Sequence, residues 1–103
     1  MQKSATPDHL PHEKLVLQLY VSGMSQKSME AIENIKNICD NHVKVDYELE
    51  IIDIYKHPEL ASEQHIVFSP SLVKQSPLPR KTLIGTLSDV KKVIRAIGIS
   101  PKT

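Results

Sequence analysis

Between Lys14 and Val21 the chain reads Lys-Leu-Val-Leu-Gln-Leu-Tyr-Val, an almost unbroken apolar and β-prone run. A strand with one wet face alternates polar and apolar residues, so a run of this kind suits an inner strand covered on both faces. The covering layers must come from a chain of 103 residues, which is room for one domain with a modest core and no second domain. Ser22-Gly23-Met24 breaks the run. Ser25 can then cap a helix whose apolar positions Met29, Ile32, Ile35, Ile38 and Cys39 recur at three- and four-residue spacing. That stripe is expected to pack on a sheet holding Leu15, Leu17, Leu19, Ile51 and Ile54.

After Asn41-His42, alternation through Val43, Val45, Tyr47, Leu49 and Ile51 predicts a second strand that continues into Ile52 and Ile54. Strand, helix, strand implies a right-handed parallel crossover. His57-Pro58-Glu59-Leu60 opens a short helix with proline at its first position, where a missing N–H does no harm. Ser71–Lys74 and Lys81–Ile84 predict two short antiparallel strands around the reversal Gln75-Ser76-Pro77-Leu78-Pro79. Ser88 and Asp89 open a last helix with Val90, Val93, Ile94 and Ile97 on one stripe and Lys91, Lys92 and Arg95 toward its end. The expected fold class is therefore α/β, a three-layer thioredoxin-like βαβαββα domain. Ser69-Pro70, just before the third strand, stands where such folds place a commonly cis proline. The expected boundaries are a flexible arm over residues 1–13, the domain over 14–99 and a tail over 100–103.

Composition removes several function classes. Thirteen Lys and Arg against twelve Asp and Glu leave a formal charge of +1, too little field to draw in nucleic acid or an anionic membrane. No apolar run approaches the roughly 20 residues of a membrane helix, and the polar N-terminus does not resemble a secretory signal. A lone Cys39 excludes an intramolecular disulfide framework and fits a cytoplasmic location. The place where thioredoxin-like enzymes hold their reactive thiol is occupied by Gly23-Met24-Ser25-Gln26, and Cys39 falls on the apolar stripe, so neither a catalytic residue nor a cofactor is expected. The competing reading is a glutathione-binding or transferase-like protein using Ser25 and the backbone beside Pro70; as a helix cap Ser25 already has a sufficient role. His9 and His12 could share a metal but lack further ligands, and nothing brings His42, His57 and His65 together, so no metal site is expected. Asp53 reads as a capping or polar-network residue before a catalytic one. Lys74, Arg80, Lys81, Lys91, Lys92 and Arg95 make the C-terminal half locally basic and the better candidate for an acidic docking partner.

Five segments, Gln18-Leu19-Tyr20-Val21-Ser22-Gly23, Ile51-Ile52-Asp53-Ile54, Pro58-Glu59-Leu60-Ala61, Ser69-Pro70-Ser71-Leu72-Val73-Lys74 and Ile84-Gly85-Thr86-Leu87-Ser88, resemble the KaiB clock-protein family in order and spacing over about Lys14 to Ile99. The resemblance implies a regulatory protein of biological rhythms or stress response that is not an enzyme and binds a KaiC-type ATPase. Family members also sequester KaiA and compete with a sensor histidine kinase, so a histidine kinase is a second partner class. It further implies that the C-terminal half can rearrange into an alternative order that forms tetramers, the thioredoxin-like monomer being the binding form, with self-association to dimers or tetramers expected. By position Lys74 and Lys81 match basic residues on the family's partner-binding half, and with Arg80 and Lys91 of the basic C-terminal half they are the expected partner-binding residues. Pro70, Pro77 and Ala96 are the expected fold-determining ones. Gln18, Glu30 and Glu50 stand where cyanobacterial members tend to be basic, and the acidic tail is missing, which counts against KaiA as a partner. Ala96 replaces a glycine common in clock members and so favours helix over strand there.

Overall fold

The computed structural model describes residues 14–98. In chain order these form β1 (Leu15–Val21), α1 (Gln26–His42), β2 (Tyr47–Asp53), α2 (Pro58–Glu63), β3 (Ser71–Ser76), β4 (Lys81–Ile84) and α3 (Val90–Ile97). The sheet runs β2-β1-β3-β4. β1 is parallel to β2 from Leu15↔Tyr47 to Val21↔Asp53, and β3 is antiparallel to both β1 and β4. The apolar run is thus an inner strand, and its register decides the layers. Leu15, Leu17, Leu19 and Val21 point to one face and pack with Ala31, Ile35, Ile38 and Cys39 of α1, Val93 and Ile97 of α3, and Leu72 and Leu87. On the other face Tyr20, Ile52 and Val73 make a smaller cluster with Ile54, Leu60 and Ile66, under α2 and the segment after it.

Local chemistry sets the helix ends. The Ser28 N–H donates to Ser25 Oγ at 3.2 Å, as an N-cap requires. The Lys92 N–H donates to the Asp89 carboxylate in the same way at 3.2 Å. Pro58 opens α2 without a side-chain cap, and Gly98 ends α3 in the left-handed region at φ 76°, where a glycine carries no Cβ penalty. Ser69-Pro70 is cis, as are Ser76-Pro77 and Leu78-Pro79.

Three expectations need correction. Met29 is not core but 46% exposed, because the stripe that meets the sheet is Ser28, Ala31, Ile35, Ile38 and Cys39, which leaves Met29 one residue round the helix and Ile32 half-buried on its flank. Ile51 faces the helical layer yet is 37% exposed, since β2 is the outer strand and lies beyond the cover of α1. Ile54 packs on the opposite face, with Tyr20 and Ile52. The second strand also starts later than the alternation suggested: α1 runs on to His42, and Val43, buried, donates its N–H to Cys39 O as the helix cap. The arm read over residues 1–13, with His9 and His12, and the tail over 100–103 lie outside the described residues.

Candidate partner-binding surface

β1 and β2 run in one direction and β3 in the other, so the loops β1–α1, β2–α2, α2–β3 and β4–α3 all gather at one end of the sheet. The hairpin Pro77–Arg80, the start of β1 and the end of α3 lie at the other. This arrangement separates the expected partner-binding residues. Lys74 and Lys81 are register partners at the hairpin end. Lys74 itself is buried at 4% exposure, with its Nζ 3.4 Å from where a Cβ at Gly98 would stand, and so is not presented at the surface. Arg80 is exposed but engaged: its guanidinium donates to the Gln64 backbone carbonyl at 3.2 Å and to Gln64 Oε1 at 2.8 Å. Lys81 and Lys91 are exposed. Lys91 belongs to the first turn of α3, at the loop end, and it is Arg95 that approaches the hairpin end. Among the expected fold-determining residues, Pro70 is buried, Pro77 and Ala96 half-buried.

At the loop end the hydroxyls and one carboxylate stitch the turns together. Ser25 Oγ–H donates to Ser28 Oγ at 2.9 Å, and the Ser22 N–H donates to that same Ser28 Oγ at 3.2 Å. Ser69 Oγ–H donates to Ser22 Oγ at 3.0 Å, which ties the segment before Pro70 to the β1–α1 turn. Asp53 Oδ1 accepts the N–H groups of Gly23 and Tyr55 at 3.1 and 2.9 Å, which makes it a polar-network residue that braces two turns and not a helix cap. Gly23 has φ +63°, a conformation that favours glycine in this turn, and a Cβ there would stand in ordinary contact, 3.5 Å, with the Tyr55 ring. The Ser25 hydroxyl accepts from the Ser28 N–H and donates to Ser28 Oγ, and among the described residues no base is hydrogen-bonded to it. Cys39 is buried in the core, and burial first, then the Asp40 carboxylate, push its thiol up to about 11, the opposite of what a reactive thiolate requires. His57 and Glu59 pair at 3.6 Å; His42 and His65 stand elsewhere. Among the described residues no three His, Cys, Asp or Glu converge as metal ligands, and no helix is long and apolar enough to cross a membrane.

A polar chain crosses the α2 face of the sheet that residue reading did not anticipate. Gln75 Nε2 donates to Gln18 Oε1 at 2.9 Å and to Gln64 Oε1 at 2.8 Å, Tyr20 O–H donates to Gln18 Oε1 at 3.0 Å, and Arg80 completes the line at Gln64. Burial, and secondarily Glu50, raise the Tyr20 phenol above its ordinary range, so it stays a donor. A signal was present: Gln18 and Gln75 interrupt otherwise apolar strands at positions that face the same way. Side-chain reach across three elements is what the sequence could not supply.

Comparison with known proteins fits this architecture. A family model described as the KaiB domain matches residues 18–99. The circadian clock protein KaiB3 of Synechocystis is 39% identical over 86% of this chain and 87% of its own length. Among solved structures, the N-terminal domain of Synechococcus elongatus SasA superposes with a TM-score of 0.72 at 25% identity, covering 94% of this chain and 90% of that domain. The Drosophila melanogaster thioredoxin Deadhead does so with a TM-score of 0.65 at 17% identity, over 86% and 83%. The last likeness carries the fold alone: the domain is thioredoxin-like.

Proposed function

The chain belongs to the KaiB family, and from that premise we propose that it is a regulatory module that works by docking onto a KaiC-type ATPase and performs no chemistry of its own, in clock-related or stress-adaptation signalling. The observation that carries this is the family match in register over residues 18–99, joined to a loop end where Ser22, Ser25, Ser28, Ser69 and Asp53 are spent on holding turns. The docking unit is residues 14–99, in the cytoplasm. Of the basic residues, Lys81 and Lys91 are exposed and supply the charge toward an acidic partner, while Arg80 orients the hairpin against α2. Pro70, Pro77 and Ala96 bias the C-terminal half toward the thioredoxin-like arrangement, and dimers or tetramers belong to the rearranged one. A glutathione-binding reading has no support from Ser25, whose hydroxyl is held by Ser28.

The test is co-elution of the purified chain with a KaiC-type ATPase from the same source, with ATP or ADP bound, beside a glutathione titration. Association in at least one nucleotide state with no saturable glutathione binding is expected. Absence of association in both states, or saturable glutathione binding, would refute the reading.

A further inference from the structure

The loop end carries apolar side chains that the fold leaves uncovered. Met24 is 78% exposed, Tyr55 74%, Val67 80% and Phe68 59%. They come from three different turns, yet the turns are tied: Tyr55 lies against Gly23 beside Met24, and Ser69, next to Phe68, is hydrogen-bonded to Ser22. Large exposed apolar groups on turns tied together in this way mark an interaction surface.

Charge says what covers it. Lys27, in the first turn of α1, and Lys56, in the turn before α2, are exposed, and neither pairs with a carboxylate among the described residues. The acids at this end, Asp53, Glu59 and Asp89, each have a local partner but keep their charge, and they are outnumbered by the exposed Lys27, Lys56, Lys91 and Lys92. α1 has no acid in its first turn; its first, Glu30, comes further along. The positive end of α1, with no acid in its own first turn, adds to these lysines. We propose that this loop end is a docking surface for an acidic protein segment that also bears apolar side chains, the apolar groups seating on Met24, Tyr55, Val67 and Phe68 and the carboxylates facing Lys27 and Lys56. This rests on the docking function proposed above and adds to it a face at the end that holds Lys91, opposite Lys81.

The experiment has two arms. In the first, affinity for the KaiC-type ATPase is measured for the unmutated chain, Phe68→Ser, Met24→Ser, Lys56→Glu and, at the opposite end, Lys44→Glu, with thermal melts to show that each variant folds. Losses of about tenfold for the serine variants and several-fold for Lys56→Glu are expected, with Lys44→Glu unchanged. Equal affinity for all variants would overturn the surface while leaving the function standing. In the second arm the isotope-labelled chain is titrated with a synthetic peptide alternating Leu and Asp and with its Leu and Lys counterpart. Amide shifts at Gly23, Met24, Tyr55, Val67 and Phe68 with the acidic peptide alone are expected, and they would uphold the surface even if the ATPase does not bind. Equal response to both peptides, no response at these residues, or shifts there that follow protein concentration without peptide would overturn it, the last by assigning the face to a second copy of the chain.

Discussion

The two faces of the sheet are closed by different physics. On the α1 and α3 side, thirteen buried residues form one continuous apolar cluster, and both halves of the chain contribute to it. On the α2 side the buried apolar residues among those described are Tyr20, Ile52 and Val73, and the rest of the seal includes the line of amides from Gln18 through Gln75 and Gln64 to Arg80. A dry face derives its stability from area removed from water, which is non-directional and tolerates no cavities. An amide-lined face contributes less per residue but fixes relative position, because each donor must meet its acceptor. The first face therefore holds the domain together, and the second sets how α2 and the Pro77–Arg80 hairpin stand against the sheet.

Truncation in each face breaks or sharpens that contrast. Ile35→Ala, at 0% exposure in the larger cluster, is expected to cost about 2 to 5 kcal/mol in chemical denaturation; a loss near zero would mean that the dry face is not the main source of stability. Gln75→Ala on the other face should cost only about 1 to 1.5 kcal/mol, since Gln18 and Gln64 keep Tyr20 and Arg80 as donors. A cost matching that of Ile35→Ala would erase the distinction. Ala96→Gly, half-buried in α3, should lower helix stability by roughly 0.8 to 1.0 kcal/mol and raise the oligomeric fraction seen by light scattering; an unchanged fraction would remove Ala96 from the fold-determining set. Met29→Ser is expected to change stability by less than about 0.5 kcal/mol, and a larger loss would show that the helix presents a different stripe to the sheet.

Element order, the two antiparallel strands of the C-terminal half and the caps Ser25 and Asp89 were legible because each rests on local periodicity or on a side chain that reaches its own backbone. The misplacements of Met29, Ile51 and Ile54 share a different cause. Periodicity tells which residues lie on one side of an element, but how far a neighbouring layer extends over that side is tertiary information. Ile51 alternates as a buried residue should and is uncovered only because its strand is the outermost. The same limit hid the burial of Lys74, whose charge suggested a surface position, and the separation of Lys91 from Lys81, which adjacency in the C-terminal half had joined. Ser28 was passed over because a serine in an apolar stripe reads as neutral, whereas its hydroxyl accepts from both Ser22 and Ser25.

The central claim, that the chain docks on a KaiC-type ATPase in its thioredoxin-like form, is tested most directly by amide spectra of the isotope-labelled chain in dilute solution with and without the ATPase. Helical shifts across Val90–Ile97 in both samples, with ATPase-dependent changes in at least one nucleotide state, are the predicted result. Strand-like shifts across Val93–Ile97, or a spectrum indifferent to the ATPase in every nucleotide state, would contradict it.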